Sequence, residues 1–196
     1  KIFNKNSAAL LLFLFFLTSC TGSNMNYVNN NDNKLLIEEF FLGKTVAFGI
    51  FEDRFDNLKR QFRVNIVGKK IDNGIILHED FLYDDGEKDT RIWTFKKNGK
   101  DKNDQNIYLG NAKDILGNAI GLAKGNQFNL EYDINLNISG RNLKVHFSDW
   151  IYQQNKNVAI NRAYVTKFGL KIGSVTLVFL RGDLSKSIGK LDLEKW

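Results

Sequence analysis

From Thr45 to Arg181 the chain alternates apolar and polar positions, is rich in Val, Ile, Phe, Tyr and Thr, and is cut at intervals by Gly, Asn and Asp. A period of two places successive side chains on opposite faces of an extended backbone, so the pattern predicts strands rather than helices. They fall at 45–53, 59–67, 74–83, 89–97, 106–112, 116–123, 127–137, 142–152, 158–168 and 171–181. Short turns join them. Asp85-Gly86 supplies the residues that a tight hairpin with positive φ requires, and Asp72-Asn73-Gly74, Lys124-Gly125-Asn126 and Ser139-Gly140-Arg141 are similar. Strands that follow one another this closely form an antiparallel meander, and closing it removes its exposed edges. The expected fold is all-β: an antiparallel up-and-down barrel of about ten strands, with its domain spanning 35–196.

Ahead of the strands, Leu35-Leu36-Ile37-Glu38-Glu39-Phe40-Phe41-Leu42 carries apolar residues on a helical stripe and stops at Gly43. One short helix, 35–42, is expected at one mouth of the barrel. The tail 182–196 is charged and is expected to be peripheral, apart from Leu184, Ile188 and Trp196.

The first 33 residues read differently. Lys1 and Lys5 precede a ten-residue apolar run, Ala8 through Leu17, followed by Thr18-Ser19-Cys20. A basic start, an apolar core and small residues make the layout of a secretory signal peptide, here 1–19. The run is too short to span a bilayer about 30 Å thick. Leu17-Thr18-Ser19-Cys20 resembles the lipobox of bacterial lipoproteins, whose cysteine is acylated, so Cys20 is the expected lipid-attachment residue. Two or three acyl chains hold a protein on a membrane durably, at about 0.8 kcal/mol per buried CH₂. Residues 20–34, Asn-rich and polar, then form a flexible tether. Thr21 stands where an Asp would retain a lipoprotein at the inner membrane, which favours the periplasmic face of the outer membrane. The chain starts with Lys rather than Met, so residues upstream of Lys1 are expected.

Composition narrows the function classes. The 28 basic residues are interspersed with 22 acidic ones, giving +6 without a basic run, so nucleic acid is not an expected partner. A single cysteine forbids an intrachain disulfide, and stability must come from packing. No proline interrupts the backbone donors, which suits an extensively paired sheet.

Across the mature region, Glu39-Phe40-Phe41-Leu42-Gly43, Gly49-Ile50-Phe51-Glu52-Asp53-Arg54, Glu79 through Glu87, Arg91-Ile92-Trp93-Thr94, Asp149-Trp150-Ile151-Tyr152, Asn161-Arg162-Ala163 and Lys167-Phe168-Gly169 stand in order. Together they resemble the bacterial lipoproteins grouped as domain of unknown function 3833. The resemblance implies a lipoprotein with a lipocalin-like (calycin-like) barrel, and no known reaction. Phe48 stands where that pattern leads one to expect Trp. Arg181, ending the last strand, resembles the cation that in lipocalin-like folds closes the barrel over an aromatic at its start, here Phe48.

Candidate chemistry is sparse. Alternation in 74–83 puts Ile75, Leu77, Glu79, Phe81 and Tyr83 on the inner face. A two-residue turn at Asp85-Gly86 sets Asp80 opposite Arg91, whereas one more loop residue sets Glu79 opposite Trp93 and diagonal to Arg91, and the sequence leaves both open. Glu79 and Arg91 are either a headgroup-orienting pair or a structural ion pair. Asp149 shares a face with Leu143, Val145, Phe147 and Ile151, and an apolar setting obliges it to find a cation or N–H donors. Arg162, on the next strand, is the expected cation. Trp93, Trp150, Tyr83 and Tyr152 are pocket-lining candidates that would serve equally as core. His78 and His146 lie far apart with no zinc spacing, no Gly-x-Ser-x-Gly elbow occurs, and no cofactor, metal or catalytic residue is expected.

Three functions follow in order of preference. The first is a tethered barrel binding an apolar or lipid-like ligand through Glu79, Arg91, Trp93, Asp149, Trp150, Tyr152 and Arg162. The second is an envelope scaffold with a filled barrel. The third is a lipocalin-like isomerase or hydratase using Asp149 or Glu79 as acid or base. A ten-stranded barrel should leave room inside, which an eight-stranded one need not.

Overall fold

The computed structural model describes residues 34–138 and 141–196. The expected signal peptide 1–19, Cys20 and the expected tether up to residue 33 lie outside the described residues. The elements are α1 (Ile37–Phe40), β1 (Gly43–Asp53), β2 (Leu58–Ile71), β3 (Gly74–Tyr83), β4 (Lys88–Lys100), β5 (Asn106–Asn111), β6 (Ile115–Lys124), β7 (Gln127–Ile138), β8 (Arg141–Asn155), β9 (Val158–Lys167), β10 (Leu170–Arg181) and α2 (Gly182–Ile188).

Each strand pairs antiparallel with its sequence neighbour, and β1 pairs with β10 from Thr45↔Arg181 to Asp53↔Gly173, so the sheet closes on itself. Every strand predicted from the alternation is present, with β2 and β4 running a few residues longer. Glycine decides several corners. Between β3 and β4, Gly86, at φ 85°, ends the three-residue loop Asp84-Asp85-Gly86 enclosed by Tyr83 and Glu87, and its N–H donates to the Tyr83 carbonyl at 3.0 Å. Asp85 Oδ1 accepts from the Glu87 N–H at 3.0 Å and braces the same turn. The resulting register sets Glu79 opposite Arg91, which is neither of the two expected pairings. A glycine in the left-handed region takes the third loop residue from the β3 side, where Tyr83 N bonds Glu87 O at 2.9 Å.

Inward-facing Ala47, Phe62, Val64, Ile66, Ile75, Leu77, Trp93, Phe95, Phe128, Leu130, Tyr132, Ile134, Val145, Val165 and Phe179 make the core. At one end of the barrel, where β1 begins and β10 finishes, α1 acts as a plug. Leu35, Ile37, Phe40 and Phe41 are all nearly fully buried, and Leu35 N donates to Gly125 O at 2.9 Å. The helical turn is shorter than the predicted 35–42 because Leu42 bridges to Gly68 and joins the sheet. Gly68 is required by this approach: a Cβ there would fall 1.8 Å from the Phe41 carbonyl oxygen. Glu38 anchors the plug, 2.5 Å from Lys97 Nζ and accepting from the Tyr108 hydroxyl at 2.9 Å. Burial pushes its carboxyl up, but Lys97, its own backbone N–H and Tyr108 outweigh that and leave it below the ordinary value.

Arg181 lies over Phe40, 5.5 Å from the ring centroid, and donates to Lys156 O. The aromatic it covers is thus Phe40 of the plug rather than Phe48, because Phe48 points outward and is 43% exposed. The tail also differs from expectation. It forms α2, and Leu184, Ile188 and Trp196 remain 40%, 44% and 49% exposed. Polar contacts hold it instead: Ser185 Oγ donates to Lys44 O, and Asn65 exchanges two hydrogen bonds with the Leu191 backbone at 2.8 and 2.9 Å.

Candidate functional site

Ten strands leave a hollow. A cavity of about 490 Å³ runs along the barrel axis from Ile37 and Phe41 of the plugged end toward Phe51, Arg60 and Tyr83 at the other. Its wall is mostly aliphatic and aromatic, with Phe62, Leu77, Phe81, Trp93, Phe95, Leu130, Tyr132, Phe147 and Val165 among the lining residues. Trp93 stacks on Phe95 at 5.1 Å and meets Tyr132 edge-on at 5.3 Å, so the aromatic lining is held by its own contacts. The volume lies in the range of small-molecule pockets.

Polar groups interrupt this wall at one level. Glu79 on β3, Arg91 on β4, Tyr132 on β7, Asp149 on β8 and Asn161 on β9 all face the cavity. Alternation brings them there: Leu77 and Phe81 flank Glu79, Leu130 and Ile134 flank Tyr132, and Phe147 and Ile151 flank Asp149 on the inner faces. Asp149 Oδ1 accepts from Asn161 Nδ2 at 2.8 Å, and Asp149 also accepts from the Tyr132 hydroxyl. Arg91 pairs with Asp114 of the β5–β6 connection through its Nη2. Glu79, though directly across from Arg91, takes part in no hydrogen bond or ion pair found among the described residues.

Burial governs the electrostatics. It pushes the Glu79 carboxyl up to about 7; Arg91 pulls it back down, while Asp149 and Asp114 push it further up. Burial likewise raises the Asp149 carboxyl, against the lowering effect of Asn161, Tyr132 and Arg91. Burial opposes the Arg91 charge, yet Tyr132, Asp114 and Glu79 together hold its guanidinium above the ordinary value. Glu79 keeps some accessible surface, and that surface belongs to the cavity it lines.

Glu79, Arg91, Trp93 and Asp149 therefore meet in one place. Trp150, Tyr152 and Arg162 do not: they project from the outer face, because odd-numbered Phe147, Asp149 and Ile151 take the inside of β8, and Asn161 and Ala163 that of β9. The expected Asp149–Arg162 pair is corrected accordingly. Asn161 and Tyr132 serve the carboxylate, while Arg162 donates to Thr176 Oγ1 at 2.7 Å and Ser174 Oγ at 3.3 Å and lies 3.6 Å from Glu52. Trp150 and Tyr152 stack on each other outside at 6.4 Å. Tyr83 lines the cavity near its open end beneath Arg60, whose guanidinium sits 3.6 Å over the ring and is engaged by Asp85 and Glu87.

Tyr132, Asn161 and Asp114 were not singled out from the sequence. The alternation of Phe128, Leu130, Tyr132 and Ile134 already places Tyr132 inward; nothing in the sequence signals Asp114, which lies between strands. Among the described residues no group of three or more His, Cys, Asp or Glu side chains is arranged to hold a metal ion. Nor is any described helix long and apolar enough to cross a membrane, which says nothing of strands.

Comparison with solved structures supports the architecture. The S-type phycobiliprotein lyase from Guillardia theta superposes with a TM-score of 0.53 at 10% sequence identity, over 74% of this chain and 90% of that one. It is a lipocalin-like barrel, and at this identity the likeness is one of fold. The EF1p2_mFAP2b protein, solved bound to DFHBI, gives a TM-score of 0.39 at 7% identity, over 75% of this chain and 100% of that one. No curated protein sequence matches the chain significantly. The family model described as protein of unknown function (DUF3833) matches residues 14–181, and the chain belongs to that family.

Proposed function

We propose that this protein is a membrane-anchored lipoprotein of the bacterial envelope whose barrel binds an apolar, lipid-like small molecule. The observation that carries the reading is the cavity of about 490 Å³, plugged by α1 at one end and lined by aromatic and aliphatic side chains around a single polar level. Apolar walls supply affinity by removing ligand surface from water, and a few fixed polar groups supply orientation. A barrel filled by its own side chains, the basis of the scaffold alternative, is not what these residues build. Acylation at Cys20, export through the 1–19 signal and placement on the periplasmic face of the outer membrane belong to the same proposal, resting on the sequence of the first 20 residues.

One observation favours a second reading. A carboxyl pushed up to about 7 beside an apolar cavity is suited to acid–base work near neutral pH, so Glu79 would be the proton carrier of an isomerase or hydratase. Native mass spectrometry with lipid extraction, on protein overproduced in a bacterial envelope, tests the first reading. A stoichiometric apolar molecule supports binding. Repeated recovery of ligand-free protein, together with no uptake of added lipids, overturns it.

A further inference from the structure

The polar level of the cavity has an imbalance that specifies the other half of the ligand. Part of its donor capacity is already spent: Asn161 Nδ2 serves Asp149, with the Tyr132 hydroxyl beside the same carboxyl, and Arg91 gives its Nη2 to Asp114. Arg60, the other cation lining the cavity, is held at the rim by Asp85 and Glu87. The acceptor left open to the cavity is Glu79, which accepts no hydrogen bond among the described residues.

Charge points the same way. Arg91 is the one guanidinium at this level, facing Glu79, Asp149 and Asp114. A further anion brought here would add to an excess of carboxylates in an apolar surround, where an unpaired charge is most costly. A donor head would satisfy Glu79.

We infer that the ligand is an amphiphile whose polar end donates hydrogen bonds, a protonated amine above all and a hydroxyl next, and that carboxylate- or phosphate-headed lipids are rejected. This rests on the cavity being the binding site. Its pH behaviour follows from the groups facing Glu79: Arg91 and Asp89 from β4, Arg60 from β2, Asp114 from the β5–β6 connection, Tyr132 from β7 and Asp149 from β8. Arg91 stays charged and Tyr132 stays protonated near neutrality, so loss of the Glu79 proton near pH 7 is the change that strengthens ammonium binding.

The test compares dodecylamine, dodecanol and dodecanoate, below their aggregation concentrations, by isothermal titration and tryptophan fluorescence. The protein is the 34–196 segment, which contains the closed barrel, its plug and its core. At about pH 8 the amine should bind on the order of tenfold more tightly than the carboxylate, with the alcohol between them. That order runs against the segment's net charge of +5, the chain's +6 less Lys1, Lys5 and Asp32, which alone would draw the anion. Glu79→Gln should abolish the preference for amine over alcohol. Dodecanoate binding as tightly as the amine would overturn the assignment of the head and leave the cavity reading intact. If none of the three binds, the cavity reading falls, and this inference with it.

Discussion

Replacing Glu79 by Gln should make the unliganded protein more stable at neutral pH, and by an amount that depends on pH in a defined way. The native carboxyl is pushed from 4.5 up to about 7, first by burial and then by Asp149 and Asp114 against the pull of Arg91. A rise of that size corresponds to about 3 kcal/mol of differential stability. Below pH 4.5 the group is protonated in the folded and unfolded chain alike, and its contribution is fully present. Between 4.5 and about 7 the unfolded chain ionises while the folded one keeps its proton, so stability is lost progressively. Above that range both states are ionised and the whole loss persists. Gln has nearly the same shape and no charge. Urea unfolding of the 34–196 segment and its Glu79→Gln variant, followed by tryptophan fluorescence, should give curves that converge near about pH 4 and separate by about 3 kcal/mol in the variant's favour near about pH 8. A difference that is flat with pH, or one that favours the native chain as pH rises, would refute the placement of Glu79 in a buried, acid-rich surround.

Gly68→Ala should cost about 1–3 kcal/mol in thermal or urea unfolding, because its methyl would strike the Phe41 carbonyl and lift the plug; unchanged stability would mean that α1 does not seat there. His146 bridges Glu131 at 2.7 Å and Asp133 at 2.8 Å on the outer face, and although burial lowers its pKa those two carboxylates raise it above 6.5. Its contribution is therefore present below pH 6.5 and lost as pH rises through the higher folded value; being half-exposed it amounts to under about 1 kcal/mol, and NMR titration of the ring should show the raised midpoint. Phe128→Ala should destabilise by about 3–5 kcal/mol, since this ring is fully buried against Phe95 and Tyr108, while Phe168→Ser, at 94% exposure, should be nearly neutral in the same melts.

Alternation carried most of the fold because a barrel with a greasy inside and a wet outside imposes it on every strand. It was less able to say which face is which. On β9, Ile160 and Tyr164 look like core, yet they are 37% and 41% exposed, and the inner face is given to Ala159, Asn161 and Ala163. Small residues belong there because large rings such as Phe147 and Tyr132 fill the bore from β8 and β7. Arg162 followed the apolar-looking face and was therefore paired with the wrong side of the sheet. Glu79 and Arg91 stand opposite each other in register through a single glycine at φ 85°, a loop detail that composition does not encode. Asn161 and Asp114 acquire meaning only from strands and connections distant in sequence.

The stopper formed by Leu35 to Phe41 sits where the polypeptide enters the barrel, pinned to the β6–β7 turn through Leu35. Under the proposed anchoring, the attachment would lie toward this stoppered end, while the doorway bounded by Phe51, Arg60 and Tyr83 lies at the other. Under the proposed function, a ligand using that doorway would enter and leave by the same route, directed away from the point of attachment, so loading and delivery would exclude each other in time.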